Sequence, residues 1–329
     1  MSAIFDALPG IEVPVAEINQ RLSALWSDTA ASGGIAPSAD DAKATQVNFV
    51  LHLGFKTTSE DATKQFQTTV RFSQRYPSRI VVLCPVADEA HSGLEMRSKI
   101  YGECFLGKSK SDKRCVEFVL LSYPRAARRF LEDQVSICLS TDLPLYYWAH
   151  RFSESGKLAD YQFLLTRANR VMIDSAVAPE GAMTYTWPRP ETVRDLAFAR
   201  LLPVRQSIGQ FLASYAPEQL AGTLREVAVS HPAALKAEAR ALLRWLRGRL
   251  RDCGAADTVA FNVTQVDQPP ARLGISFAYD DPAKQFRWSG DLATKQALFE
   301  ASYGGATTKL PAAVSLLRPE NALSEAMFF

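Results

Sequence analysis

The chain has 329 residues, of which 47% are hydrophobic and 22% charged, and its net charge at pH 7 is +2. This composition is that of a soluble globular protein, and the length holds one large domain or two ordinary ones. The near-zero charge gives no support to a nucleic-acid partner, and no stretch approaches the ~20 apolar residues of a membrane span.

The N-terminal sequence and the cysteines indicate the cellular compartment of the protein. The first residues, MSAIFDALPGIEVPVAEI, lack the basic and apolar regions of a secretory signal, so we expect a cytoplasmic protein. The five cysteines are an odd number without a CxxC pair, and they favour buried, reduced thiols. They are Cys84, Cys104, Cys115, Cys138 and Cys253. Cys104 and Cys115 fall on neighbouring strands of a predicted hairpin and could face each other, but two reduced thiols are favoured.

The first predicted element is an amphipathic helix over residues 14–27, with Ile18, Leu22 and Trp26 on one side and Pro14 at its start. Residues 29–44, rich in Gly, Ala and Ser, predict a connector. We therefore assign residues 1–40 to an N-terminal helix and linker. The helix packs on the body of the chain or on another subunit.

Strands and helices then alternate through a predicted α/β domain, residues 41–216. Strands are predicted at 47–53, 79–85, 99–106, 114–123, 143–150 and 170–176, and helices at 59–76, 124–139 and 154–168. The alternation implies a mostly parallel sheet flanked by helices, with an antiparallel hairpin inserted. Ligand sites in such sheets lie beyond the carboxyl ends of the strands, where this chain has His150 and Asp174.

Residues 190–215 predict the next helical segment, with an apolar stripe that includes Leu201, Val204 and Ile208. Pro203 lies inside the pattern, so we expect a kink, or two helices with Pro203 opening the second. Arg200 lies on the apolar side and requires a partner, because an unpaired buried guanidinium costs roughly 3–5 kcal/mol. A buried structural pair is favoured, and a ligand or partner contact is the alternative.

From residue 217 to 329 the pattern changes to a smaller α+β unit. Helices are predicted at 217–230, 232–254 and 293–305, and a three-stranded meander at 258–266, 271–279 and 284–291. The helix within 232–254 has a basic face that includes Arg240 and Arg244. A solvated polar face is the commoner meaning of such a row, and an acidic protein surface or a nucleic-acid backbone are the functional alternatives.

One segment carries a resemblance. RDLAFARLLPVRQSIGQF resembles the D-L-x-x-x-R-L-x-P-x-R segment of the glucose-6-phosphate dehydrogenase assembly protein family, OpcA. ALW near the start, VNFVLHL, YPSRIVVLCP, DLPLYYWAH and VMIDSA fit in the same order, so that the resemblance covers about residues 10–215. It implies a protein that promotes assembly or activation of the dehydrogenase, which feeds the oxidative pentose phosphate pathway.

The sequence contains no motif that supports a catalytic, cofactor-binding or metal-binding site. Gly102–Ser109 matches the phosphate-binding pattern GxxxxGK[ST], but bulky strand residues precede Gly107 and a second strand, not a helix, follows. We therefore predict no phosphate site there. The sequence has no GxGxxG after a strand, no HExxH, no GxSxG and no Cys/His metal spacing, so we expect no cofactor and no metal.

These observations favour a non-catalytic assembly factor or allosteric activator of glucose-6-phosphate dehydrogenase over an enzyme. The alternative is a sugar-phosphate- or nucleotide-binding protein, or an enzyme, with a site at the carboxyl ends of the strands. The candidate partner- or ligand-binding residues are Trp148, His150, Asp174, Arg194, Arg200, Arg205, Arg240 and Arg244. Neither nucleic acid nor a membrane is an expected partner, and nothing in the sequence predicts an oligomeric state.

Overall fold

A computed structural model describes most of the chain. The described residues are 3–36, 45–86, 95–106, 113–152, 155–266, 272–303, 305 and 307–329. They form two compact units, the first of residues Met1–Asp195 with Leu323–Phe329, and the second of Leu196–Ala322. The change of unit lies between Asp195 and Leu196, whereas the sequence analysis divided the chain at 216.

The first unit contains a mostly parallel sheet with short helices between its strands. Its strands are β1 Ile11–Val13, β2 Val47–Leu53, β3 Ser78–Val86, β4 Arg97–Leu106, β5 Lys113–Pro124, β6 Leu145–His150, β7 Arg170–Ile173 and β8 Val193–Asp195. Its helices are α1 Ala3–Ala7, α2 Ile18–Ala31, α3 Ser59–Ser73, α4 Leu131–Cys138, α5 Ser155–Ala159, α6 Gln162–Arg167 and α7 Glu180–Met183.

The strand order of the first sheet is β1-β4-β5-β3-β2-β6-β7-β8. Every neighbouring pair from β5 to β8 is parallel, and β4 pairs antiparallel with β5 and β1. This confirms the predicted parallel sheet with an antiparallel hairpin. The chain builds outward from β2 on one side and then returns to place β6 on the other, so that the order reverses between β2 and β6.

The predicted N-terminal helix packs on the body of its own chain. The Trp26 Nε1 atom donates a hydrogen bond of 2.8 Å to Glu117 on β5, and the same carboxylate pairs with Arg79. A Cβ atom at Gly102 would overlap the Trp26 ring, so this glycine of β4 is needed for the close approach of α2. The alternative, packing on another subunit, is therefore not required to bury Trp26.

The second unit contains the remaining elements. Its strands are β9 Leu224–His231, β10 Ala260–Gln265, β11 Arg272–Tyr279, β12 Gln285–Asp291, β13 Gln296–Ser302 and β14 Thr308–Ala313. Its helices are α8 Leu196–Arg200, α9 Leu202–Leu212, α10 Pro217–Ala221, α11 Lys236–Asp252 and α12 Pro319–Phe328, of which the last residues count in the first unit.

The second sheet has the order β10-β9-β11-β12-β13-β14, in which β11 to β14 form an antiparallel meander. The predicted helix at 293–305 is wrong, because Gln296–Ser302 is strand β13. The predicted helix at 217–230 is also wrong after Ala221, because Leu224–His231 is strand β9, paired with β10 and β11. In both segments buried residues alternate with more exposed ones, which is the strand period.

The segment 190–215 divides at the predicted proline. Pro203 lies in the first turn of α9, where its missing N–H leaves no hydrogen bond unmade. The start of the segment differs from the prediction, because Val193–Asp195 forms β8 beside β7. In α9, Val204, Ile208 and Leu212 enter the core of the second unit.

The predicted hairpin is crosslinked. Cys104 and Cys115 are directly opposite each other in the β4–β5 register, and a disulfide joins them with Cα atoms 4.0 Å apart. The expectation of two reduced thiols is wrong, because pairing in this register brings the two side chains together. Cys84, Cys138 and Cys253 are free. Burial raises the pKa of Cys84, and that of Cys138 to about 11.

Candidate functional site

The reversal of strand order between β2 and β6 marks the place where open α/β sheets bind ligands. Gly54 follows β2, and its backbone N–H donates to the His150 carbonyl at 2.7 Å. A side chain at Gly54 would overlap the carbonyl of Arg151, so only glycine fits here. Arg151 itself has a φ of 51°, and this left-handed conformation turns the chain away from the end of β6.

The first turn of α3 approaches the end of β6 through an ionic cluster. Thr58 is the N-cap residue of α3, and its hydroxyl accepts from the Asp61 backbone N–H at 3.2 Å. The Asp61 carboxylate bonds His150 Nε2 at 2.8 Å and also accepts from Arg151 Nε. The hydrogen bonds from His150 and Gln65 and the charge of Arg151 outweigh the burial of Asp61, so that its pKa is lowered.

The other face of the same strands carries a buried aromatic and polar network. His52 on β2 bonds the Tyr147 hydroxyl through Nδ1 at 2.9 Å and the Tyr123 hydroxyl through Nε2 at 2.7 Å. The Tyr123 hydroxyl in turn bonds that of Tyr161 at 2.8 Å. Burial lowers the pKa of His52 to about 3, so the ring is neutral at pH 7. The candidate site residues predicted from the sequence do not include His52, Tyr123 or Asp61.

The structure places the candidates from the strand ends on neighbouring strands, but with different partners. His150 ends β6, whereas Asp174 follows β7 and accepts a hydrogen bond of 3.0 Å from Ala176 N–H. Trp148 is 3% exposed and its ring lies 5.5 Å from that of His150, so it belongs to the core rather than to a contact surface. Arg194 on β8 donates to the Glu191 and Val193 carbonyls, and burial lowers its pKa.

The residues that carry the family resemblance make contacts within the chain. The Asp195 carboxylate accepts from the backbone and the hydroxyl of Ser175. Arg200 pairs with Glu238 of α11 at 2.8 Å, and the Glu238 side chain is 5% exposed. The favoured buried pair at Arg200 is therefore present. The Arg205 guanidinium lies over the Phe198 ring, 3.8 Å from its centroid.

The exposed face of α11 presents a row of basic side chains. Lys236, Arg240, Arg244, Arg247 and Arg251 recur along the outer side of the helix and are exposed. Arg247 lies over Phe261, and Arg251 pairs with Asp257 at 3.2 Å. The candidates Arg240 and Arg244 are thus on the surface of the second unit.

A cavity of about 470 Å³ lies in the second unit beside α9 and α11. Its lining is mostly apolar and includes Leu212, Tyr215, Trp245 and Leu250. Arg249 and Asp252 also line it, and they pair with each other at 2.9 Å. None of the candidates from the sequence lines this cavity.

The sequence predicts neither a phosphate site at Gly102–Ser109 nor a metal site. Residues 107–109 of the GxxxxGK[ST] match lie outside the described residues, and the preceding residues to Leu106 continue strand β4. Within the described parts of the chain, no group of three or more His, Cys, Asp or Glu side chains is arranged to hold a metal ion. No described helix combines the length and the apolar character needed to cross a bilayer.

Comparison with known families identifies one part of the chain. Residues 69–189 match the family model described as the glucose-6-phosphate dehydrogenase subunit N-terminal domain. This segment is similar to the OpcA family domain. The OpcA domain match runs from within α3 to just beyond α7, and so includes Trp148, His150 and Asp174. No curated protein matches the chain.

The OpcA match does not include Thr57, Asp61 or the segment from residue 190 onward. The sequence carries a signal for the turn between β2 and α3, although this turn was not predicted to be part of a site. Thr58 and Asp61 stand three residues apart directly after an apolar strand, which is the pattern of a capped helix start. Because this turn is the first strand-to-helix turn of the sheet, the pattern would have directed attention to the neighbourhood of His150.

Proposed function

We propose that the chain is a non-catalytic partner of glucose-6-phosphate dehydrogenase, acting in the cytoplasm as an assembly factor or allosteric activator in the oxidative pentose phosphate pathway. The observation that carries this proposal is the match of residues 69–189 to a domain described as part of a glucose-6-phosphate dehydrogenase subunit. The order of the resembling segments beyond that match supports it.

Such a partner needs only to bind the active state of the enzyme more tightly than the inactive state. Each tenfold preference shifts the equilibrium between the states by about 1.4 kcal/mol. The basic row on α11 is the surface that we assign to this contact, because Arg240 and Arg244 are exposed and arginine is enriched in the energetic centres of interfaces. Trp148 is buried and Arg200 is paired within the chain, so neither is assigned to this contact.

The test is an activity titration. The dehydrogenase from the same organism is assayed at fixed substrate concentrations while the purified chain is added at increasing concentration. We expect activity to rise and saturate at a defined ratio of the two proteins. A heat-denatured sample of the chain is the control. An unchanged rate over the whole titration would contradict the activating role.

A further inference from the structure

Three buried polar atoms at the reversal of strand order have no hydrogen-bond partner within the described chain. They are Thr57 Oγ1, Trp148 Nε1 and His150 Nδ1. The residues are 6%, 3% and 2% exposed, so bulk solvent does not reach these atoms. Buried polar groups in folded proteins are nearly always hydrogen-bonded, because leaving one unpaired costs free energy. Three such atoms on connected segments therefore mark a candidate binding site.

The three residues lie on segments that contact one another. Thr57 N–H donates to the Gly54 carbonyl at 2.9 Å, and Gly54 N–H donates to the His150 carbonyl at 2.7 Å. Asp61, in the first turn of α3, holds the other nitrogen of the His150 ring. The Trp148 ring lies 5.5 Å from the His150 ring. The turn after β2, the start of α3 and the end of β6 thus bring the three atoms to the same edge of the sheet.

The charges at this edge favour an anion. Thr57 immediately precedes the N-cap of α3, a helix of 15 residues, whose first turn carries the positive end of the helix dipole. Lys56 is exposed on the same turn. Asp61 opposes an anion, but its carboxylate is bonded to His150 and paired with the Arg151 guanidinium, whose charge offsets that of Asp61. Glu60, also in the first turn, is exposed and therefore screened by solvent.

The three unpartnered atoms also indicate which second chemical group the ligand carries besides its anionic group. The indole N–H of Trp148 is a donor, and the Thr57 hydroxyl both donates and accepts. His150 Nε2 is bonded to the Asp61 carboxylate at 2.8 Å, and the other ring nitrogen, Nδ1, is the atom without a partner. A hydroxyl group both donates and accepts, so a ligand that carries a hydroxyl besides its anionic group satisfies Nδ1 whether or not this nitrogen carries a proton.

We propose that the turn from Gly54 to Ser59 and the end of β6 bind a small hydroxylated phosphate monoester. The phosphate group lies at the first turn of α3, with Thr57 and Lys56, and a ligand hydroxyl is hydrogen-bonded to His150 Nδ1. This proposal does not depend on binding of the chain to the dehydrogenase. The site is also distinct from the GxxxxGK[ST] match that begins at residue 102. It gives the strand-end alternative of the sequence analysis a defined location and ligand class.

The test uses the full chain and two probes, inorganic phosphate and glycerol 3-phosphate, each against sodium chloride of equal ionic strength. Isothermal titration calorimetry measures the dissociation constants, and thermal unfolding measures the shift in Tm. We expect saturable binding of both probes, with glycerol 3-phosphate at least fivefold tighter, because only it offers a carbon-bound hydroxyl as well as phosphate.

Two variants locate the site, each with a control on α3. We expect Thr57→Val and Lys56→Ala to weaken binding of glycerol 3-phosphate at least tenfold, and Thr63→Val and Lys64→Ala, at exposed positions, to leave it unchanged. Thr57→Val should not lower the Tm without ligand, because its hydroxyl has no partner to lose. Absence of saturable binding, or equal affinity in Thr57→Val and the wild type, would overturn the proposal. Neither result bears on dehydrogenase binding.

Discussion

At the scale of single residues, His52 couples stability to pH. Its pKa is about 3 in the folded chain because of burial, whereas an unfolded histidine has a pKa of about 6.5. Between these values the unfolded chain binds more protons at this residue, so the free energy of unfolding falls as the pH is lowered below about 6.5. The slope from this one group is up to about 1.4 kcal/mol per pH unit.

We therefore expect His52→Gln to reduce the dependence of stability on pH between pH 6.5 and 4.5. Urea unfolding at several pH values measures it. This window lies above the unfolded pKa of aspartate, about 3.9, so Asp61 with its lowered pKa contributes little to the slope there. The variant should also be less stable at pH 7, because two buried tyrosine hydroxyls lose their partner. An identical slope in both proteins would contradict this role of His52.

The Arg200–Glu238 pair is a second prediction at this scale. Replacing one member of a buried pair removes the compensation for the other charge, so Arg200→Met should lower the free energy of unfolding by roughly 3–5 kcal/mol. The double variant Arg200→Met/Glu238→Met should recover most of this loss, because two apolar side chains carry no desolvation cost. Chemical denaturation measures both. If the double variant is less stable than the single one, the pair does not act as described.

At the scale of elements, the β4–β5 hairpin is held by its disulfide. Cys104 and Cys115 are 11 positions apart, and crosslinks that close loops of about this length stabilise proteins by roughly 2–3 kcal/mol. We expect a reductant to lower the urea midpoint of the wild type by a corresponding amount. The Cys104→Ser/Cys115→Ser variant should match the reduced wild type and should not respond to reductant. A wild type that unfolds identically with and without reductant would show that the crosslink does not stabilise the hairpin.

Helix α11 provides the prediction for the partner surface. Reversing the charges in Arg240→Glu/Arg244→Glu should weaken binding to the dehydrogenase at least tenfold, since like charges then oppose the acidic surface that we expect on the enzyme. Arg225→Glu, an exposed position on β9, is the control and should bind as the wild type does. Circular dichroism checks that the variants are folded. Unaltered binding by the double reversal would remove α11 from the interface.

The same scale shows what the sequence could predict. The parallel strands were predictable because β2 and β3 are continuous apolar runs buried on both sides. Strand β13 was mistaken for a helix because its Ala, Leu, Gln and Glu residues favour helices, whereas pairing with β12 and β14 decides its structure.

The clusters at the candidate site were harder to foresee. His52 and Tyr123, or Asp61 and His150, come together only through strand order and the placement of α3. Periodicity assigns a residue to a face but does not reveal which distant side chain will be its neighbour. The sequence predicted that Arg200 has a partner, because an arginine on an apolar stripe requires one. It did not identify Glu238 as that partner.

At the scale of the whole molecule, we propose that the chain acts by binding another protein. The measurement that tests this most directly is size-exclusion chromatography with light scattering on the full chain, the dehydrogenase and their mixture. We expect a new species whose mass equals the sum of whole numbers of the two chains, and which is lost with the Arg240→Glu/Arg244→Glu variant. Two proteins that elute separately at micromolar concentrations, with the masses that each has alone, would contradict the account.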